Sequence, residues 1–431
     1  MKGLTKTFIS FLGVSSLLFS GEVYSAQIKV NEETFANLGA NLKLFYRNLD
    51  ERSIKGGWKQ NRFEIQQLRY YINGQVSKLV QFYGEIDTSP SQNGEVILNE
   101  AAVNLAFLPE LQVRIGQIRV PFERYQMTAI YAEIVPTATG GAILDPQGVF
   151  SRPANPYFYS CYSGKNLPRS DRGVILHGTI SQGLIYYNLG LFNEDKTGEN
   201  KVFNNGWKNL STAKPLKNNK NLEYDFRIEF TPTWLGVKAP ALLVSRADGR
   251  VRETELGKQN LLTIGMGYHY EKHLDELDKS IYGFSSLSRK GWTIDAIFEK
   301  KLNLWVPNFL LGYINLRDTH LYNKKGIWKK GDSQVWFLQG QLLYDQVLGF
   351  GKPAIGFKWE SVKAKGYYNG QDDFKLNRMV GVINYYIKGQ AARVALEIDH
   401  YKYGKAAKNF LKSQNKEDRL TDWHIYIQTM F

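Results

Sequence analysis

The chain has 431 residues, with 55 Lys and Arg against 41 Asp and Glu, a formal charge of +14. At 43% hydrophobic it is too apolar to remain disordered, and no internal stretch approaches the run of about 18 uncharged apolar residues that a membrane helix needs. The lone Cys161 excludes an intramolecular disulfide framework and any cysteine-based zinc site. An aromatic content of 14% with 39 glycines suits strands that are apolar on one face only.

Residues 1–26 read as a secretory leader. Lys2 and Lys6 supply the basic start, Phe8 to Phe19 the apolar core, and Val23 to Ala26 the small residues for cleavage after Ser25 or Ala26. The remaining 27–431 is then one exported, basic domain. From Phe35 onward the hydrophobic period is 2, not 3.6. Sixteen strands are predicted: 35–47, 61–76, 79–88, 96–108, 110–121, 173–181, 184–193, 222–231, 260–271, 290–299, 308–317, 333–346, 352–364, 376–388, 391–403 and 420–431. Tyr224, Phe226, Ile228 and Phe230 alternate with Asp225, Arg227, Glu229 and Thr231. Leu262, Ile264, Met266, Tyr268 and Tyr270 alternate with Thr263, Gly265, Gly267 and His269. In the last strand Trp423, Ile425, Ile427, Thr429 and Phe431 share one face, and His424, Tyr426 and Gln428 the other. One face is oily; the other carries glycine, amides and charge. A soluble sandwich would bury the oily face; a membrane barrel would turn it to lipid. Pattern alone does not separate the two.

Connection lengths favour the barrel over the sandwich, and fractionation with the outer membrane would decide between them. Short turns at Ser77-Lys78, Pro109, Gln182-Gly183, 302–307, 347–351 and Gly389-Gln390 alternate with long polar connections at 48–60, 89–95, 122–172, 194–221, 272–289, 318–332, 365–375 and 404–419. Short turns at one end and long loops at the other is the arrangement of an outer-membrane barrel. The segment 232–259 breaks the rule: it falls on the short side but is long, and Ala241 to Ser245 inside it has strand character. An even strand number places both termini at the short-turn end. The terminal Phe431, after alternating aromatic and aliphatic residues, fits a barrel-assembly signal.

Several segments resemble the phosphate-selective porin O/P family. Arg69-Tyr-Tyr-Ile-Asn-Gly74 is similar to an early family strand, and Gly116-Gln-Ile-Arg-Val-Pro121-Phe122 to the segment before its third loop. Asp171-Arg172-Gly173-Val174 and Leu189-Gly-Leu-Phe-Asn193 resemble the following hairpin, and Gly381 to Arg393 the penultimate one. The resemblance spans roughly 35–431. The chain departs from it in the long 232–259 connection and in Gln390 and Arg393, where His and Lys are common. It implies a sixteen-stranded barrel, usually trimeric, with the third loop, here 122–172, folded into the lumen. It also implies phosphate or other small anions as solutes, outer-membrane lipid and lipopolysaccharide as surroundings, and the assembly machinery as a partner for Phe431.

Anion transit needs cations that replace water without trapping the ion, and the planar fork of Arg matches phosphate oxygens. The strand register turns Lys43, Arg47, Arg69, Arg114, Arg227 and Lys358 to the lumen. The loop adds Arg124, Arg152, Lys165, Arg169 and Arg172. The residues expected to contact anions are Lys43, Arg69, Arg114, Arg152, Arg169, Arg172, Arg227 and Lys358. The competing expectation is a salt-bridge lattice with Glu64, Glu85, Asp87, Glu100, Glu229 and Glu360, because a porin wall must be polar in any case.

Other signals carry less. His269 and His273 stand at i,i+4, but that ligand spacing needs a helix and this is a strand end, so no metal site is expected. Gly349-Phe-Gly351-Lys352 lacks the phosphate-loop spacing and a following Ser or Thr. No Ser, His and acid group converges at a rim, so no catalytic residue, cofactor or reaction is expected. A nucleic-acid partner clashes with export. The sequence therefore reads as a passive outer-membrane channel with anion preference. A general porin is the nearest alternative, and an adhesin or enzyme on the same barrel a more distant one.

Overall fold

The computed structural model describes residues 26–50, 59–88, 96–136, 170–193, 222–243, 249–273, 287–324, 327–368, 372–405 and 417–431, with Lys408, Asn409 and Lys412. All of the predicted leader except Ala26, and the loop residues Arg152, Lys165 and Arg169, lie outside the described residues. The strands are β1 (Ala26–Lys29), β2 (Phe35–Asp50), β3 (Lys59–Gln75), β4 (Val80–Asp87), β5 (Ile97–Leu108), β6 (Leu111–Arg119), β7 (Ser170–Ile180), β8 (Ile185–Asn193) and β9 (Leu222–Phe230) in the first half. The second half holds β10 (Leu261–His273), β11 (Leu287–Glu299), β12 (Trp305–Lys324), β13 (Ile327–Tyr344), β14 (Lys352–Tyr368), β15 (Asp372–Lys388), β16 (Ala392–Tyr403) and β17 (Arg419–Met430). Each strand from β2 to β17 pairs antiparallel with its sequence neighbour, and β17 returns to β2 with Met430 opposite Asn41. The sixteen strands thus form a closed barrel, which leaves no edge unpaired.

The outer face is oily. On β10, Ile264, Met266 and Tyr268 are 46%, 53% and 45% exposed, while their neighbours Gly265, Gly267 and His269 are buried on the inside. This inversion, apolar side chains out and polar ones in, is that of a transmembrane barrel and excludes a soluble sandwich. Short β1 pairs with the start of β2, Ala26 opposite Leu38, and so extends the line of β17 along β2 past the C-terminus. Phe431 lies at that junction, exchanging backbone hydrogen bonds with Ala40 while its ring stays exposed.

Three features differ from the sequence expectation. The connections 318–332 and 365–375 are mostly strand: β12 runs to Lys324 and β13 restarts at Ile327, and β14 runs to Tyr368 with β15 restarting at Asp372. The ladder continues there after the apolar alternation has stopped. In the segment 232–259, Ala241 and Leu242 belong to a short 3-10 turn, Pro240–Leu242, and not to a strand. The lumenal wall is also not uniformly polar. Ile314, Val335, Phe337, Val362 and Leu376 face inward on β12 to β15 and are buried. They form an apolar collar toward the long-loop end, against which the Tyr125 ring packs 4.8 Å from that of Phe337.

Candidate functional site

Two segments enter the lumen, one from each end. From the long-loop end comes the start of the third loop. Glu123 caps a single helical turn, α1 (Arg124–Met127), accepting from the Tyr125 and Gln126 amides, while the Gln126 side chain returns to the Glu123 amide. This reciprocal capping fixes the turn although it is far too short to stand alone. From the short-turn end comes the connection between β9 and β10. Gly249, at φ +64, sits so close to Arg114 that an added Cβ would lie 2.2 Å from Nη1. The chain then runs inward and turns back at Leu256 and Gly257, both in the left-handed region.

The segments meet and pair. The Val251 amide donates to the Met127 carbonyl at 2.9 Å, and the Ala129 amide to the Val251 carbonyl at 2.8 Å. Glu253 then accepts from the Ile134 amide at 2.7 Å and from Gln339 Nε2 at 2.6 Å. Asn308 holds the Glu253 carbonyl, and Glu299 receives the Thr254 hydroxyl and the Gly257 amide. A loop packed against the lumenal wall must find partners for the backbone groups it buries there. The wall supplies them: Arg119 donates to the carbonyls of Gln126 and Thr128, Arg227 to Phe122, Asn384 to Ile134, Arg393 to Glu133 and Gln428 to Tyr131. Glycine makes the approach possible. A Cβ on Gly267 would fall 1.9 Å from the Phe122 carbonyl oxygen.

The charged wall residues form compensated groups. Arg124 reaches Asp295 at 2.8 Å and Glu229 at 3.0 Å, and Arg227 reaches the same two acids, both at 2.8 Å. Arg69 binds Glu85 and Asp87, Arg250 binds Glu85 and Glu100, and Arg119 binds Glu100. Arg378 gathers Glu360, Glu397 and Asp399, and Lys358 binds Glu360 beneath the Tyr125 ring. Lys43 lies 3.7 Å from Glu133.

Of the eight residues expected to contact anions, Lys43, Arg69, Arg227 and Lys358 face the lumen with a carboxylate partner. Arg114 is buried in the lumen beside Gly249 and Tyr186. Arg172 is exposed on the outer face of β7, opposite outward-facing Gln117. Sequence reasoning missed Arg119, Arg250, Arg378 and Arg393. Arg393 stood out only as a departure from a family pattern. Its guanidinium lies 4.9 Å from the Tyr426 ring centre and 5.7 Å from that of Tyr386. A cleft remains between the two inserted segments and the wall of β2 to β4, bordered by Asn41, Arg69, Tyr71, Tyr83, Tyr131 and Arg250.

Glu253 is the titratable centre of the inserted segment. Burial pushes its carboxyl up to about 7, and the neighbouring Glu133 adds to the rise, against the pull of Lys358. A carboxyl raised in the folded state favours folding while protonated. Its contribution is complete below the unfolded value near 4.5 and is lost as pH climbs through 7. Urea unfolding in detergent should therefore show stability falling by on the order of 3 kcal/mol between pH 4.5 and 8, and Glu253→Gln should flatten that slope. An unchanged slope in the variant would remove Glu253 as its origin.

No family model and no curated protein matches the sequence. Solved structures do match in fold. Salmonella typhi OmpF, in complex with daunomycin, superposes with TM-score 0.54 at 11% identity, over 94% of this chain and 100% of its own. Pseudomonas putida OprB gives 0.54 at 12% identity, over 92% and 94%. An anion-selective porin from Comamonas acidovorans gives 0.52 at 9% identity, over 93% and 100%. At such identities the likeness establishes a shared porin-type barrel fold.

Proposed function

We propose that this protein is an outer-membrane porin, a passive diffusion channel for small polar solutes. The observation that carries this reading is a lipid-facing barrel whose lumen is narrowed from both mouths and still keeps a polar cleft beside the narrowing. Size and hydrogen bonding then set selectivity, because the fixed charges around the cleft are largely spent on one another. Trimer assembly, contact with lipopolysaccharide through outward basic residues such as Arg172, and recognition of Phe431 by the assembly machinery belong to the same proposal.

A preference for small anions, phosphate among them, is the second reading. It is favoured by Arg393, whose guanidinium meets no carboxylate at ion-pair distance among the described residues, by Arg114 at the mouth of the inserted segment, and by the family resemblance of the hairpin that ends in Arg393. Reversal potentials in planar bilayers under a potassium chloride gradient separate the two readings. A general porin gives a value near zero, with sugar entry in liposome swelling. An anion channel gives a clear anion-side shift that Arg393→Gln reduces, together with block of chloride current by phosphate. Absence of any conductance or swelling would sink both.

A further inference from the structure

The lumenal wall carries one three-residue arrangement twice. Glu397 and Asp399 on β16 stand with His424 on β17, and Glu223 and Asp225 on β9 stand with His269 on β10. In each, two carboxylates two residues apart share the inner face of one strand, and the histidine projects from the next. His424 lies opposite Glu397, and His269 opposite Asp225. One oxygen from each carboxylate and one imidazole nitrogen lie within 4.8 Å of one another.

The two copies differ in what neutralises them. At the first, Arg378 from β15 fills the role of the cation, with Nη2 2.8 Å from Asp399 and 3.4 Å from Glu397. At the second, no guanidinium or ammonium group among the described residues reaches Glu223 or Asp225. The nearest basic residue along the strand, Arg227, is committed to Glu229, Asp295 and the Phe122 carbonyl. Glu223, Asp225 and His269 are only 2%, 2% and 1% exposed, yet Glu223 Oε1, Asp225 Oδ2 and His269 Nε2 have no hydrogen-bond partner. Two buried carboxylates with only the one His269 imidazole between them as a countercharge are costly to keep ionised, and a bound cation offsets that cost.

We propose that Glu223, Asp225 and His269 form a binding site for a divalent first-row transition ion of the zinc class. Carboxylate oxygens with one imidazole nitrogen suit such ions, whereas calcium asks for six or more oxygens. The imidazole is already placed for the task. Nδ1 lies 3.0 Å from Asp225 and 3.8 Å from Glu223, and Nε2 points toward Glu271 Oε2 at 3.8 Å. Coordination through Nδ1 leaves the Nε2 proton facing that carboxylate, the outer-shell partner that orients metal-bound histidines. The Phe122 ring, 5.8 Å from the imidazole, closes its other flank and ties the site to the root of the third loop.

Calorimetry with zinc chloride on the purified full chain in detergent tests this, with metal content counted by mass spectrometry after dialysis. One zinc per chain is expected. The combined Glu223→Gln, Asp225→Asn, His269→Asn variant should bind at least tenfold more weakly, and His424→Asn should bind as the parent does. Heat-modifiable gel migration reports whether each variant is a folded barrel. If the combined variant does not fold, the single His269→Asn carries the comparison. Failure of the parent to bind zinc would overturn the site and leave a proton shared between the two carboxyls. Binding that survives the substitutions, or that His424→Asn removes equally, would overturn it as well. The readout is metal and not current, so its failure is distinct from failure of the porin reading.

Discussion

Replacing residues 234–258 by a short Gly-Ser turn is expected to raise single-channel conductance several-fold, the largest effect anticipated for any change that leaves the strands intact. The segment adds nothing to the barrel ladder, since β9 and β10 pair directly from Phe230 opposite Ile264 onward. What it adds is volume in the lumen and half of the pairing that holds the third loop. Its loss leaves Met127 and Ala129 without their backbone partners and the Glu253 contacts to Ile134 and Gln339 unmade. The bore widens twice over, by the residues removed and by the loop released. Planar-bilayer recording measures this directly, with sugars of increasing size as a ruler in liposome swelling. A shortened protein that folds and conducts like the parent would show that the segment does not bound the pore.

Arg124→Met should destabilise the barrel by about 3–5 kcal/mol, the usual cost of removing one member of a buried ion pair. Arg124 and Arg227 share Glu229 and Asp295 in a closed square of two cations and two anions. Taking one cation leaves the remaining charge of the acids uncompensated at a site where Arg124 and Asp295 are wholly buried. Equilibrium unfolding in urea reads the loss. Adding Asp295→Asn to the variant should recover part of it, because the square returns to charge balance. The single variant should also conduct more noisily, since Arg124 is the link between the third loop and β9 and β11. A loss under 1 kcal/mol would mean that water already screens the group.

The strands were legible because lipid imposes a strict rule on them. Any residue facing outward within the membrane must be apolar, so Ile264, Met266 and Tyr268 alternate without exception with Gly265, Gly267 and His269. Beyond the membrane that pressure ends. Residues 318–332 look like loop because their sequence is polar and does not alternate, although the ladder from β12 to β13 continues through them. The apolar run at Ala241 was misleading for the opposite reason. Ala241 packs against Met127, Tyr186 and Val251 and Leu243 against a second apolar cluster, while Leu242 stays exposed, and neither Ala241 nor Leu242 belongs to a strand. The site was legible only in part. Alternation tells that Arg227 faces inward, but not that its acids are Glu229 on the same strand and Asp295, 68 residues away. The expectation of a salt-bridge lattice named Glu64, Glu85, Asp87, Glu100, Glu229 and Glu360, and each of these does hold a cation. It placed Arg124 in the third loop without its partners and lacked Arg250, because a loop or insertion bent into a cavity has no periodicity to show where it points.

The two inserted segments also set an order of events. Each enters from a different mouth, so the Thr128–Val251 contact joins parts of the chain that begin on opposite faces of the bilayer. Local hairpins need only their own turns, and the closure of β17 on β2 needs both chain ends. The internal crossing needs a finished tube around it. It is therefore a late step, after the wall has formed, in keeping with the slow arrival of contacts that close long loops. An insertion intermediate would then be a wider, less obstructed cylinder than the mature protein, and the narrowing would act as a latch that closes once the cylinder has been built.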